Sequence, residues 1–330
     1  MSLTSTELEQ FNEEGYVVKP AVFSTEALQP IQDALSEIVD TEAKRLQSQG
    51  ALDDIYPDEP FGNRLGRIRK SNLDAAIEIT RGVMGSGGGG FRGASMFGML
   101  THPPLLACVE SLIGPTIIGA SAYRIRPKLP EWERGEVPWH QDSGYFLPHC
   151  DKHLLVTCWI LLVDSNRKNG CLYVMPKVHR HGVYRHYTGG HGGFLEIPTD
   201  EFPDSGPIPM EMKAGDVLFM TNLTPHASFE NHSEQVRWSV DLRYQNAEAP
   251  NNADEGPESY TPERETVTMA CYPPEADFVL RNPENPEQEV RSPEEFRQIR
   301  ERFHGAGAYN PGRGWTRLED RSPVKDHNSR

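Results

Sequence analysis

The first chemical signal in the sequence is Val137-Pro138-Trp139-His140-Gln141-Asp142. In an extended strand, residues i and i+2 point to the same side, so His140 and Asp142 would present a ring nitrogen and a carboxylate oxygen to one point. Alone, an H-x-D triplet is as readily a hydrogen-bonded surface pair. A second stretch, AGDVLFMTNLTPHASF at residues 214–229, changes that reading. Gly215-Asp216 makes a turn, residues 217–220 read as a buried strand, and His226 follows shortly beyond it. Two histidines and one carboxylate on one side of a metal leave the opposite coordination positions open. That donor set suits a non-haem Fe(II) centre at which O₂ and a chelating co-substrate both bind. Arg237 stands eleven residues after His226, at the head of a further strand. On a strand beside His226 its guanidinium could grip a distant carboxylate in two-pronged fashion. A surface ion pair is the rival reading.

The elements that must position these groups follow from periodicity. Residues 5–15 read as a short amphipathic helix closed by Gly15, and Tyr16-Val17-Val18 as a brief strand. Ser24 caps a helix running to about residue 48, with Leu28, Ile31, Leu35 and Ile38 as its apolar stripe. Residues 50–72 are mixed and carry Pro and Gly. A helix follows Pro103 and stops at Gly114-Pro115. From there the signal turns to β, at residues 116–126, 154–163, 171–175, 209–212, 216–220 and 237–244. Helices followed by many short strands predict an antiparallel double-layer barrel with the N-terminal helices packed outside it. Residues 246–266 read as a surface excursion, 292–303 as a helix, and the last ten or so as frayed.

Bulk properties narrow the function. With 33 basic and 48 acidic residues the formal charge is −15, which repels phosphate backbones and anionic headgroups, so neither nucleic acid nor a membrane is an expected partner. No apolar run approaches the ~20 residues of a membrane helix. The N-terminus lacks the basic and apolar regions of a secretory signal. The five cysteines are odd in number with no C-x-x-C spacing, which points to reduced thiols and a cytoplasmic setting. The expected organisation is one domain over 1–330: helices in 1–115, a barrel core in 116–245 and an extension in 246–330. The oligomeric state is not legible.

The stretches FNEEGYVV, WHQDSGYF, the strand around Trp159, KNGCLYVMPKVHR, KAGDVLFM and PHASFENHSEQVRWSV, in this order and spacing, resemble the phytanoyl-CoA dioxygenase family of 2-oxoglutarate oxygenases. They span most of residues 5–245; the chain beyond 250 does not carry the resemblance. The resemblance implies a mainly β fold with flanking helices and a double-stranded β-helix (jelly-roll, cupin-like) core. It implies Fe(II) on His140, Asp142 and His226, with 2-oxoglutarate and O₂ as co-substrates. It further implies that Arg237 binds the distal carboxylate of 2-oxoglutarate, helped by Ser228, and that Gln141 and Trp159 line the co-substrate pocket. Each has a plainer reading: Trp159 as core, Ser228 as a turn residue, Gln141 as outward-facing. The family residue that meets the co-substrate from the N-terminal part does not align clearly, and Arg92 is the candidate.

The implied reaction is hydroxylation of an unactivated C–H bond in a small organic substrate, with release of succinate and CO₂. Halogenating relatives replace the carboxylate ligand by a small residue; Asp142 is present here, which favours hydroxylation, desaturation or ring closure. Two rivals stay open, a cupin-like metalloenzyme that does not use 2-oxoglutarate and a non-catalytic ligand-binding barrel. The His-rich segment VHRHGVYRHYTGGHGGF, with His179, His181, His186 and His191, reads as a solvated, mobile lid rather than a second metal site. Gly85 to Gly90 reads as a flexible loop. Arg124 and Arg126 share a strand face and could meet an anionic substrate or pair with surface acids. No recognisable signature of CoA binding appears.

Overall fold

The computed structural model of the chain describes residues 2–84, 91, 93–120, 122–203, 206–251, 253, 277–302 and 313–321. Its helices are α1 (Ser5–Glu14), α2 (Thr25–Ser48), α3 (Phe61–Ser71), α4 (Leu73–Met84), α5 (Ala94–Leu100), α6 (Pro103–Ile113) and α7 (Pro293–Arg302). Its strands are β1 (Tyr16–Lys19), β2 (Ile117–Gly119), β3 (Arg124–Lys128), β4 (Val137–His140), β5 (Leu155–Leu161), β6 (Leu172–Val174), β7 (Ile208–Pro209), β8 (Val217–Thr221), β9 (His226–Ser228), β10 (Arg237–Asn246) and β11 (Phe278–Arg281). The large antiparallel sheet runs β1-β8-β5-β10-β2-β11, with β3 also paired to β10; the small one runs β4-β9-β6-β7. This is the double-stranded β-helix, the jelly-roll core, with helices on one side.

The large sheet has an inverted polarity. Along β10, Arg237, Ser239, Asp241, Arg243 and Gln245 alternate with Trp238, Val240, Leu242 and Tyr244, and all nine are buried. The apolar set joins the main core with Leu28, Ile31, Leu35 and Val39 of α2 and with residues of α3 to α6. The polar set faces the barrel interior. β5 divides likewise: Val156, Cys158 and Ile160 meet the helices, while Thr157 and Trp159 line the interior cavity. The helices are therefore the hydrophobic cover that lets the barrel keep polar groups inside.

Several expectations need correction. Residues 61–71 form α3, and α4 follows it. Within α3, a Cβ at Gly66 would lie 2.4 Å from the Glu234 carbonyl, so glycine serves close packing. The strand expected over 116–126 is two, because the chain steps out of the sheet between β2 and β3. The step frees the Ala122 carbonyl, which accepts from Arg243 Nη1 at 2.6 Å. The core is not confined to 116–245 either, since β1 and β11 supply strands from outside that range and cover the sheet edges. The Gly85–Gly90 loop, Arg92, Cys271 and most of the excursion at 246–266 lie outside the described residues.

Gly15 ties the N-terminal helix to the barrel. It caps α1 in the left-handed region, at φ 85°. Its carbonyl accepts from Thr221 N (3.1 Å) and Thr224 Oγ1 (2.6 Å), on the turn that leads into His226. A Cβ at this position would lie 2.5 Å from His179 Nδ1 and 2.8 Å from Thr224 Oγ1. Gly15→Ala is expected to cost at least ~1 kcal/mol, from positive φ and crowding together. Urea unfolding should show a lower midpoint at constant m-value; an unchanged midpoint would refute this role.

Candidate metal centre

His140 ends β4 and His226 opens β9, and the two are directly opposite in the antiparallel pairing of those strands. Cross-strand neighbours on one face meet by default, and the ring centroids are 4.2 Å apart. His140 Nδ1 lies 2.8 Å from the Pro138 carbonyl and His226 Nδ1 lies 3.0 Å from the Thr224 carbonyl. A carbonyl only accepts, so each Nδ1 carries the proton and each Nε2 keeps a free lone pair. Burial, with His226 close by, holds the His140 pKa well below its ordinary range, so the ring is neutral.

Asp142 arrives as the strand gives way. Gln141 is still extended (φ −109°, ψ 144°), so the i, i+2 expectation holds, and Asp142 then opens a 3₁₀ turn, Asp142–Gly144. Ligand atoms from His140, Asp142 and His226 all lie within 4.8 Å of one another, and all three residues are buried. Burial alone would raise the Asp142 pKa. The Arg243 charge and hydrogen bonds overcome this and hold it well below the usual carboxylate range. Arg243 grips both oxygens, Nε to Oδ2 at 2.9 Å and Nη2 to Oδ1 at 2.7 Å, and Thr157 Oγ1 donates to Oδ2. Two imidazoles whose Nε2 atoms are free of hydrogen bonds and one ionised carboxylate fit a divalent first-row metal.

The loops bearing these ligands are stitched together. Buried Asn222, on the turn before His226, donates from Nδ2 to Ser143 Oγ (2.8 Å) and accepts from Leu155 N at Oδ1 (3.1 Å). Its carbonyl accepts from Ser143 N at 3.0 Å.

An open cavity of ≈ 130 Å³ adjoins the cluster, lined by His140 and His226. Arg237, Ser228 and Trp159 line it. Arg237 reaches there from the large sheet, because β10 pairs with β3 and β5 and not with β9, correcting its expected place beside His226. Nη1 donates to Ser239 Oγ (2.7 Å) and Nη2 to Ser228 Oγ (3.4 Å), and its buried Nε has no partner. Burial pushes its pKa down to about 10. The guanidinium sits 5.2 Å from the centre of the Trp159 ring, which belongs at once to the cavity wall and to an apolar cluster with Leu161 and Leu218. A buried guanidinium with an orphan N–H and no acidic partner among the described residues fits an incoming carboxylate.

Gln141 does not reach the cavity. Alternation turns it to the opposite side, where Nε2 donates to Gly182 O and Leu223 O and Oε1 accepts from Tyr184 N. The expected pocket contact is replaced by a tie to the base of the His-rich segment. That segment is not simply solvated. His186 is fully buried and accepts from Gln141 N, whereas His191 Nε2 rests on the Glu133 carbonyl. Arg126 lines the cavity and pairs with Asp241, whereas Arg124 donates to the Tyr123 carbonyl.

The sequence reasoning missed Arg243 and Thr157, and the strap at 313–321. Arg313 donates to Ser143 O (2.7 Å) and Trp315 Nε1 to Gly144 O (2.8 Å), so this strap lies across the Asp142 turn. The strict alternation in RWSVDLRYQ was the available signal for Arg243.

Fold and cluster together define a double-stranded β-helix with an H-x-D…H cluster able to hold a metal ion. The family model for phytanoyl-CoA dioxygenase (PhyH) matches residues 11–239, and the chain belongs to this family. It is similar to the peroxisomal phytanoyl-CoA dioxygenase of Rattus norvegicus, 26% identical over 180 residues, 53% of each chain. It is also similar to the methylphosphonate hydroxylase of Gimesia maris, 25% identical over 244 residues, 74% of this chain and 81% of that one. Among solved structures, it is similar to the non-heme alpha ketoglutarate dependent carbocyclase SnoK from nogalamycin biosynthesis. That match is 20% identical with TM-score 0.48, covering 74% of this chain and 85% of the other. The chain spans about half the length of the mammalian phytanoyl-CoA dioxygenases it matches.

The Asp142–Arg243 pair makes a prediction about pH. In the wild-type chain the folded carboxyl pKa is depressed, so its contribution to stability is present above the unfolded value and is lost only as pH falls far below it. Without Arg243, burial is left to raise that pKa above its unfolded value. The sign then reverses, and stability is lost as pH rises. Chelator-treated Arg243→Met is expected to be ~3–5 kcal/mol less stable at neutral pH, the usual cost of orphaning a buried charge. It should recover stability towards pH 4, near the ordinary Asp pKa. Parallel denaturation curves for both proteins between pH 4 and 8 would contradict this.

Proposed function

We propose that this protein is an Fe(II)- and 2-oxoglutarate-dependent oxygenase that hydroxylates an unactivated C–H bond of a small polar organic molecule. One observation carries the reading. A buried three-donor cluster with open sides shares a cavity with a buried arginine that has no acidic partner among the described residues. His140, Asp142 and His226 would hold the metal, Arg237 and Ser228 the distal carboxylate of the keto acid, and Trp159 would form the wall between them. Iron bound there, with O₂ and 2-oxoglutarate, supplies the oxidising power, yielding succinate and CO₂ and giving one oxygen atom to the substrate.

The chain's own groups prepare that chemistry. Arg243 and Thr157 keep Asp142 ionised and aimed. The Pro138 and Thr224 carbonyls fix the imidazole tautomers. Met84, Trp132 and Phe194 give the cavity apolar surface that excludes water. Arg126, Lys128 and Arg134 add positive charge to its lining. Together with the likeness to a methylphosphonate hydroxylase, they support a small anion-bearing substrate over a long acyl thioester. Asp142 occupies the position a halide would need, which supports hydroxylation over halogenation.

The experiment is a substrate screen scored by 2-oxoglutarate-dependent succinate release under Fe(II) and ascorbate. The product formed in chloride buffer should gain one oxygen atom. A chlorinated product, or efficient turnover of a long-chain acyl thioester, would defeat the reading. Metal titration should give one divalent ion per chain, lost in His226→Ala, with imidazole–metal distances near ~2.0–2.2 Å. Arg237→Ala should retain the metal but weaken 2-oxoglutarate by ~2–5 kcal/mol, as truncating one side of a buried charged pair does. Unchanged co-substrate affinity would refute that role.

A further inference from the structure

Lys128 ends β3 directly opposite Arg237 at the head of β10. Both side chains line the cavity, and both residues are buried, 5% and 2% exposed. Among the described residues neither has an ion-pair partner. Two adjacent cations taken out of water without an ion-paired acid are unfavourable unless an anion joins them.

The two converge on one residue. Lys128 Nζ donates to the Ser228 carbonyl (3.1 Å), and Arg237 Nη2 donates to the Ser228 hydroxyl (3.4 Å). Lys128 Nζ also donates to the Gly135 carbonyl at 2.9 Å. An ammonium has three N–H bonds, so one remains for a ligand. Space is kept for the lysine stem by Gly170, where a Cβ would lie 2.6 Å from Lys128 Cε and 2.7 Å from the Phe229 carbonyl. Gly170 in turn accepts from Ser228 Oγ at 3.1 Å. These residues form one small polar end of the cavity.

We propose that Lys128 is a second cationic anchor for the distal carboxylate of 2-oxoglutarate, its remaining N–H completing a cradle with the Arg237 guanidinium beside Ser228. The proposal rests on the co-substrate reading above. Burial, with Arg237 adjacent, pushes the Lys128 pKa well down, and a carboxylate bound between the two cations would reverse that cost. The rival is a purely structural lysine that ties Gly135 to Ser228. A structural tie would not sense which end group the ligand carries.

The test compares 2-oxoglutarate with 2-oxopentanoate, a keto acid of the same length that ends in a methyl group. Binding is measured by calorimetry on the Mn(II)-loaded protein, which needs no turnover. Lys128→Met should weaken 2-oxoglutarate by about 30-fold or more, as loss of a buried charged partner does, and leave 2-oxopentanoate nearly unchanged. Lys128→Arg should restore part of the preference. Should Lys128→Met fail to fold, Lys128→Gln, which keeps hydrogen bonds to the two carbonyls without the charge, carries the same expectation. A wild-type preference for 2-oxoglutarate that survives the substitution, or equal weakening of both ligands, overturns the role of Lys128 alone. A wild-type protein that binds both ligands equally overturns the co-substrate reading and Lys128 with it.

Discussion

The grip of Arg243 on Asp142 is the interaction around which this fold is arranged. A carboxylate buried inside a barrel is tolerated only when a charge and hydrogen bonds replace its water. Arg243 supplies both, and Thr157 adds a third contact. To reach Asp142, Arg243 must project inward from β10, which forces the rest of that strand's polar face inward too. The opposite, apolar face of β10 is then left outside and must be covered. Helices α2 to α6 meet that requirement, so the N-terminal third of the chain and the carboxylate ligand are two ends of one constraint.

The histidines depend on a different and simpler device. They are register partners across β4 and β9, so their approach is a property of strand pairing rather than of either local sequence. The pairing must still be held in register, because a slip of one residue would turn each ring to the other face. Asn222 and Gly15 fix the turn before His226 from two directions, one from the Asp142 turn and one from α1. The metal centre thus draws its rigidity from segments far apart in the chain.

What was legible in the sequence follows from what residue type can announce. His140, Asp142, His226 and Arg237 are chemically marked, and their spacing brought out the cluster. Arg243 is equally charged but lies in a strand whose alternation states only that two faces differ. It does not state which face is inward, and in most half-exposed sheets the polar face meets solvent. The inversion became visible only with the helices seen to cover Trp238, Val240 and Leu242. The helix over 61–71 was hidden for a related reason, since a glycine such as Gly66 marks a break or a close approach and only the neighbouring Glu234 backbone decides between them. Gln141 was misplaced although the alternation that paired His140 with Asp142 already sent it to the other side.

The charge distribution carries the same logic outward. The chain as a whole is formally −15, yet its cavity lining holds Arg126, Lys128, Arg134, Arg237 and Arg243 against Asp241, with Asp142 beside them. Surface charge acts at long range but is screened beyond about 8 Å at physiological ionic strength. Inside the cavity screening is weak, and the local positive field governs what stays. Two of these cations are already engaged by acids, Arg126 by Asp241 and Arg243 by Asp142. Lys128 and Arg237 are the buried pair without such an acid among the described residues. The fold therefore holds Asp142 beside the two histidines and leaves a cationic end without an ion-paired acid across the cavity, among the described residues. A molecule that chelates a metal at one end and carries a carboxylate at the other would satisfy both ends at once, which is the electrostatic argument behind the proposed keto-diacid co-substrate.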